Sequence, residues 1–319
     1  MEKREEGGKG GRRMKLVSLS AVEDRLTGIN TYYMKVLVWV FAFLISAGAG
    51  FAQAPTENAL LWEITKPGQP KPSYLFGTIH LICPADFALS DSVKSALSKT
   101  EQVALEMDMD DPGMMMNMMK SMNMRDGNEL KKLVSESEYN KLDQFYKDSV
   151  GVGIGMFAKA KPFVLMGPLF NAVLNCQPQS YEMSLVELAK KQQSEVIGIE
   201  SMDEQMAVFD SIPYKDQVKM ILAMIDNLPK ARNEFKELVA LYKTQNINEL
   251  YKLTLKSEFG LDGNEEIMLF DRNKKWISRI EKIVSEKPTF IAVGAAHLGG
   301  ERGVIALLRK QGYKIRPVL

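Results

Sequence analysis

Two histidines, His80 and His297, are the only imidazoles in the chain, and they share one local pattern. Phe76-Gly77-Thr78-Ile79-His80-Leu81 parallels Val293-Gly294-Ala295-Ala296-His297-Leu298. Each reads as a buried strand, then Gly-x-x-His-Leu, then a loop entering a helix. Open α/β sheets place ligands in loops at the C-ends of strands. Glycine lets the backbone pass close to a bound group. Histidine is a favoured ligand for borderline divalent metals and an effective general base. On neighbouring strands, two such loops would aim both imidazoles at one point. The competing reading is that each histidine only caps or packs a strand end. The doubled context favours a shared task.

Two imidazoles do not complete a catalytic metal site, which usually takes three protein ligands and keeps a fourth position open. The best carboxylates end two further apolar runs. Glu106 follows Gln102-Val103-Ala104-Leu105, and Glu200 follows Val196-Ile197-Gly198-Ile199. Such residues are either site groups or the point where solvent begins, and the site reading is preferred. Glu106 is expected to be the catalytic or ligand carboxylate and Glu200 a supporting one. Glu200 stands at a helix entrance, where Ser201 and Glu204 form a capping box. Asp108, Asp110 and Asp111 read as solvated loop or cap residues. Arg272 admits two readings. It stabilises an oxyanion or carboxylate, or it pairs at the surface with Asp271 or Glu266.

The elements that must hold these groups are strands at both ends of the chain and helices between them. Leu60–Ile64 and Ser73–Thr78 are β-prone and flank the turn-rich Lys-Pro-Gly-Gln-Pro-Lys-Pro, which predicts a hairpin. Ser90–Thr100 reads as a helix capped by Ser90, and Gln102–Met107 as a buried strand. Ser135 to about Cys176 is helical with a break at Gly151–Gly155. Glu182–Lys191 is a helix, Glu195–Glu200 a short strand, and Met202–Ser285 nearly all helical. Thr289–Val293 is a buried strand, Val304–Lys310 a helix, and Tyr313–Val318 a last strand. Continuous apolar strands imply helices covering the sheet. The fold class is therefore α/β (α+β). A mixed central β-sheet carries two strand-GxxH-loop units and a large helical middle.

Between Met114 and Met124 lie seven methionines. A soft-metal surface is one reading. A helix whose methionine face packs on its neighbours or covers a groove is preferred, because methionine is chiefly a gap-filling apolar residue.

The charge balance excludes some partners. The first 52 residues hold eight basic and five acidic side chains, leaving 33 basic and 35 acidic in the rest. A net charge of about −2, with no basic stripe, steers nothing to nucleic acid. Met34 and Lys35 precede an apolar run, Val36–Phe51, with Gly50 and Ala52 placed like a signal-peptidase site. Its 16 residues are short for a membrane span, which needs about 20. Residues 1–52 therefore read as an N-terminal extension and signal peptide, with Met1 or Met34 as the start. Residues 53–319 read as one domain with a helical insertion at about 110–285. The protein is expected to be exported, periplasmic or secreted, with no stable membrane span after processing. The alternative is an anchor formed by the uncleaved segment. Cys83 and Cys176, the only cysteines, either form a disulfide in an oxidising compartment or remain two partly buried thiols.

The segments FGTIHL, ALEMD, GIES, DRNKKW and VGAAHLGGERGVIALLRKQGYKI together resemble the TraB/GumN family, which is related to the Tiki proteases. The resemblance runs over about residues 58–318. It implies a metal-dependent hydrolase, plausibly a peptidase, using a divalent ion such as Mn²⁺ or Co²⁺, with Zn²⁺ as an alternative. By that resemblance His80 and His297 match the two motif histidines, Glu106 the acidic residue after the first motif and Arg272 the arginine of the helical segment, and His80, His297 and Glu106 are expected to hold the metal. The substrate would be a peptide or a small ester or amide. Two other functions fit the same cleft: a non-catalytic protein that sequesters a peptide or signal, and an envelope factor linked to polysaccharide. No carbohydrate-stacking row of aromatics supports the second.

N-terminal sequencing of the protein from an envelope or secreted fraction should begin at Gln53, within one or two residues. A sequence beginning at Met1 overturns the export reading.

Overall fold

The computed structural model describes residues 54–319 apart from 258, 260 and 262. The extension, signal peptide and choice of start, within 1–52, lie outside the described residues. The chain runs through β1 (Leu61–Thr65), β2 (Ser73–Thr78), β3 (Leu81–Ile82), α1 (Asp91–Ser98), β4 (Gln102–Leu105) and α2 (Met114–Ser121). Next come α3 (Leu130–Leu133), α4 (Glu136–Val150), α5 (Met166–Leu174), β5 (Gln179–Ser180), α6 (Tyr181–Gln192) and β6 (Glu195–Gly198). The helical stretch α7 (Met202–Asp210), α8 (Tyr214–Asp226), α9 (Leu228–Lys243), α10 (Ile247–Lys256) and α11 (Asp271–Glu286) leads to β7 (Thr289–Gly294), α12 (Val304–Lys310) and β8 (Lys314–Pro317).

Six strands form one mixed sheet in the order β6-β4-β7-β2-β1-β8. The β1–β2 hairpin is antiparallel, pairing Leu61 with Phe76 and Glu63 with Tyr74. Strands β2, β7, β4 and β6 run parallel. Every residue of β2 and β7 is buried, as continuous apolar runs in a covered parallel sheet require. The helical middle is not continuous, because β6 leaves it to form an edge of the main sheet.

Helix starts follow local chemistry. Ser90, Ser180 and Asn246 accept amide N–H groups at their N-caps. Ser135 with Glu138, and Ser201 with Glu204, complete capping boxes. The Gly151–Gly155 break is a glycine stop: Gly151 takes φ +82° and donates to the carbonyls of Tyr146 and Lys147.

The main core joins the sheet to α1, α6, α11 and α12 through Leu97, Leu185, Trp276 and Ile305, among others. A second core lies within the helical middle, around Leu142, Tyr146, Leu169 and Ile221. The methionine helix behaves otherwise than expected. No residue of α2 is buried, and Met115, Met116, Met118 and Met119 are exposed. Its methionines are therefore not core filler.

Cys83 and Cys176 are joined by a disulfide that ties the first histidine loop to the end of α5. The bridge spans 93 positions. Removing a native disulfide from a small secreted domain typically costs about 2–5 kcal/mol. The Cys83→Ala, Cys176→Ala variant should unfold earlier in urea by an amount in that range. Unreduced, denatured wild type should show no free thiol, and labelling of two thiols overturns the bridge.

Candidate functional site

Parallel pairing of β2 with β7 brings the two histidine loops side by side, with Thr78 opposite Gly294. A β-carbon built on Gly294 would lie 3.3 Å from His80 Nε2, 3.4 Å from Glu106 Oε1 and 3.6 Å from His297 Cδ2. Both imidazoles and the carboxylate thus surround one point. Gly294 has φ −53°, an ordinary value, so glycine is needed there for space and not for backbone geometry. Gly77 serves a different end. Its absent side chain makes room for Leu298 and Ala295, so the second loop can cross close to β2.

Each imidazole is held through Nδ1. His80 Nδ1 lies 2.9 Å from Glu182 Oε1, which also accepts the Thr78 hydroxyl at 2.7 Å. A carboxylate only accepts, so Nδ1 carries the proton. His297 Nδ1 lies 2.6 Å from Asn273 Oδ1. The Asn273 amide is fixed by donation from Nδ2 to the Arg302 carbonyl at 2.9 Å, so its oxygen faces the histidine. His80 thus turns Nε2 towards the shared point, whereas His297 meets it with Cδ2.

The carboxylates stand on adjacent strand ends. The ladder continues past β4 and β6: Ile199 N–H donates to Leu105 O, and Glu200 N–H to Glu106 O. Both side chains are buried. Arg272 lies between them, with Nη2 2.5 Å from Glu106 Oε2 and 2.5 Å from Glu200 Oε1. Its Nη1 approaches His297 Nε2 at 3.3 Å. The ring of Trp276 lies 4.7 Å from the guanidinium and 4.5 Å from the His297 ring. Trp276 Nε1 donates to Glu200 Oε2 at 3.0 Å, and Gln205 Nε2 to Glu200 Oε1 at 3.2 Å. The remaining Glu106 oxygen, Oε1, accepts Gly294 N–H at 2.8 Å. A π turn, Glu266–Phe270, directly precedes α11, a feature frequent at functional sites.

The surface reading of Arg272 is thus corrected: Arg272 is buried, and Glu266 pairs with Arg302 instead. The sequence readings of Glu106, Glu200, His80, His297 and Arg272 fall in one place. Glu182, Asn273, Thr78, Trp276 and Gln205 join them and were not singled out by the sequence.

Electrostatics separates the two imidazoles. Burial opposes charge on His297, and Arg272 adds to this against the pull of Glu106, lowering its pKa to about 3. His297 is neutral, with an Nε2 lone pair. Desolvation also opposes charge on His80, but the hydrogen bond and charge of Glu182 outweigh it and raise the pKa to about 9. The His80 side chain is 63% exposed, so solvent screens part of that attraction. Burial opposes ionisation of Glu106, yet Arg272, then the histidines, hold its carboxyl well below the ordinary range. Glu182 is likewise held down, chiefly by His80 against desolvation.

Among the described residues, no group of three or more His, Cys, Asp or Glu side chains is arranged to hold a metal ion. Glu106 is engaged by Arg272 and Gly294. The donor chemistry nevertheless suits a divalent ion: two imidazoles with Nδ1 anchored by buried acceptors, next to a carboxylate, in a cradle that a β-carbon on Gly294 would fill. A cavity of about 680 Å³ opens beside these groups, with His80, Glu106 and Arg272 in its wall.

Fold and site define a family. The model of the TraB/PrgY/gumN family matches residues 60–317, and the chain belongs to that family. Curated relatives include "Metalloprotease TIKI2" of Danio rerio, 21% identical, with 81% of this chain and 60% of that protein covered. "Metalloprotease TIKI1" of Homo sapiens is 20% identical, covering 81% and 61%. "Metalloprotease TIKI homolog" of Amphimedon queenslandica is 22% identical, covering 82% and 61%. The chain thus spans about 60% of the length of these relatives. No solved structure matches. Among the described residues, no helix is long and apolar enough to cross a membrane.

Arg272 sets the pH dependence of stability. With its guanidinium present, Glu106 has a folded pKa below its unfolded value, so its contribution is full at neutral pH and lost as pH falls through the folded value. In Arg272→Met, burial and the neighbouring anion raise the Glu106 carboxyl, and the sign of its contribution reverses. The variant should lose about 3–5 kcal/mol at pH 7 by urea unfolding, and the deficit should shrink below about pH 4. A deficit independent of pH overturns this account.

Proposed function

We propose that the mature chain, residues 53–319 as one exported domain, is a metal-dependent hydrolase that acts on peptides. One observation carries the reading: both imidazoles, each anchored through Nδ1, converge with Glu106 on a single point at Gly294. The family match and the metalloprotease names of the relatives support it.

His80 and His297 would hold the ion, with Glu106 as the nearest carboxylate for a ligand or general-base role. The resemblance points to Mn²⁺ or Co²⁺, and histidine with carboxylate also suits Zn²⁺. A bound divalent ion supplies Lewis acidity and a readily deprotonated water. The protein's own part is positional and electrostatic. Glu182 and Asn273 keep the rings in one tautomer and orientation. Glu106 is held ionised at neutral pH by Arg272, which supports a ligand role over a general-base role. Arg272 lies against His297 Nε2 and both carboxylates, a fixed cation suited to offset negative charge beside them. Glu200 accepts from Arg272, Trp276 and Gln205, which assigns it to holding the guanidinium.

Purified protein should take up a divalent ion and cleave a peptide library in an EDTA-sensitive way. His80→Ala with His297→Ala should abolish both. Glu106→Gln should lower activity by about 10²-fold or more, and Glu200→Gln less. Gly294→Ala removes no ligand, yet it should cut metal uptake while leaving the melting temperature nearly unchanged, because its backbone geometry accepts alanine. Ion-free, inactive wild type overturns the hydrolase. An inactive Glu200→Gln beside a normal Glu106→Gln reverses the two roles.

A further inference from the structure

We infer that the site selects peptide segments carrying large apolar side chains, which enter the cavity beside His80 and Glu106. This deepens the hydrolase reading and rests on it for the word substrate. The cavity, about 680 Å³, lies in the upper part of the range of about 300–1,000 Å³ usual for ligand sites.

Its lining is divided sharply. All its charged side chains, His80, Glu106, Glu182 and Arg272, belong to the site already described. The far wall comes from the helical middle and the loop after β4. It presents Met109, Met166, Phe170, Phe209, Met220 and Met268, each half-buried. Phe209 is stacked on Phe163, with centroids 4.1 Å apart and planes at 7°, which makes that wall firm.

Gln217, a buried polar residue of the lining, offers a ligand nothing. Gln217 receives Phe163 N–H on Oε1, and its amide nitrogen donates to the carbonyls of Phe209 and Ile212. A charged side chain laid against this apolar wall would lose water and gain no partner from it. A leucine, phenylalanine or methionine would leave water and meet apolar atoms throughout.

Methionine makes the preference broad. Four methionines with several rotatable bonds each adapt their shape, so the wall discriminates apolar from charged more than one apolar side chain from another. A rigid pocket of β-branched residues would do the reverse.

Two fluorescein-labelled peptides of equal length test this, both with Gly/Ser flanks and no net charge from the centre. One carries Leu-Phe-Met at the centre and the other Asp-Asn-Lys. Binding to the full chain is read by anisotropy with and without EDTA, so that turnover is not needed for a signal. The apolar peptide should bind at least tenfold more tightly. Met220→Glu should remove that preference, and Met220→Leu should keep it. Met268→Gln, a milder change, serves if Met220→Glu does not fold. Equal affinity for the two peptides, or an unchanged preference in a folded Met220→Glu or Met268→Gln, overturns the inference. A preference without any cleavage upholds it and counts against the hydrolase alone.

Discussion

Two carboxylates that end adjacent parallel strands cannot both be buried as anions unless a cation lies between them. Arg272 supplies that cation. Its fork reaches Glu106 and Glu200 together, a planar geometry that a lysine could not reproduce. The cost of burying three charges is offset only because nearly every polar atom is used. Met268 O, Trp276 Nε1, Gln205 Nε2 and Gly294 N–H complete the set. The close packing of β6, β4 and β7 at their C-ends depends on this neutralisation. So does the position of α11, which carries both Arg272 and Asn273.

The same arrangement divides the work between the two histidines. His297 lies under Trp276 and beside a guanidinium, so it stays neutral. His80 faces the cavity and an anionic Glu182, so it holds a proton or any other cation readily. One imidazole is a fixed lone pair and the other is a cation acceptor held by its carboxylate.

The sheet and its histidines were legible because their signals are strong. Continuous apolar runs mark β2 and β7, and a repeated Gly-x-x-His-Leu in a chain with two histidines leaves few alternatives. Glu106 and Glu200 were legible as charges closing such runs. The groups that hold the rings were hidden by ordinary helix grammar. Glu182 lies in the first turn of α6, where any acid is favoured by the helix dipole. Asn273 carried a weak signal, since asparagine inside a helix is disfavoured and calls for a partner. Trp276 and Gln205 look like core and surface until tertiary structure brings them to Glu200. The methionine helix was misread because composition cannot say which way a face points. Space at Gly294 was invisible too, since a glycine kept for volume looks the same as one kept for a turn.

The floor and the wall of the cavity belong to different parts of the chain and are stabilised differently. The floor is made of strand ends locked by ion pairs, where a displacement of one atom leaves a charge unpaired. The wall is made of helices with their own small core around Leu142, Tyr146 and Ile221, where apolar contacts tolerate repacking. The two are joined by packing as well as by a covalent link, since Phe235 packs against both cores. The disulfide is the covalent one: Cys83 follows His80 by three residues, and Cys176 follows α5, the helix that supplies Met166 and Phe170 to the wall. The first histidine loop is therefore tied covalently to the helix that carries part of the apolar wall. Changes in the wall can alter which side chains are admitted without disturbing the charges beneath it.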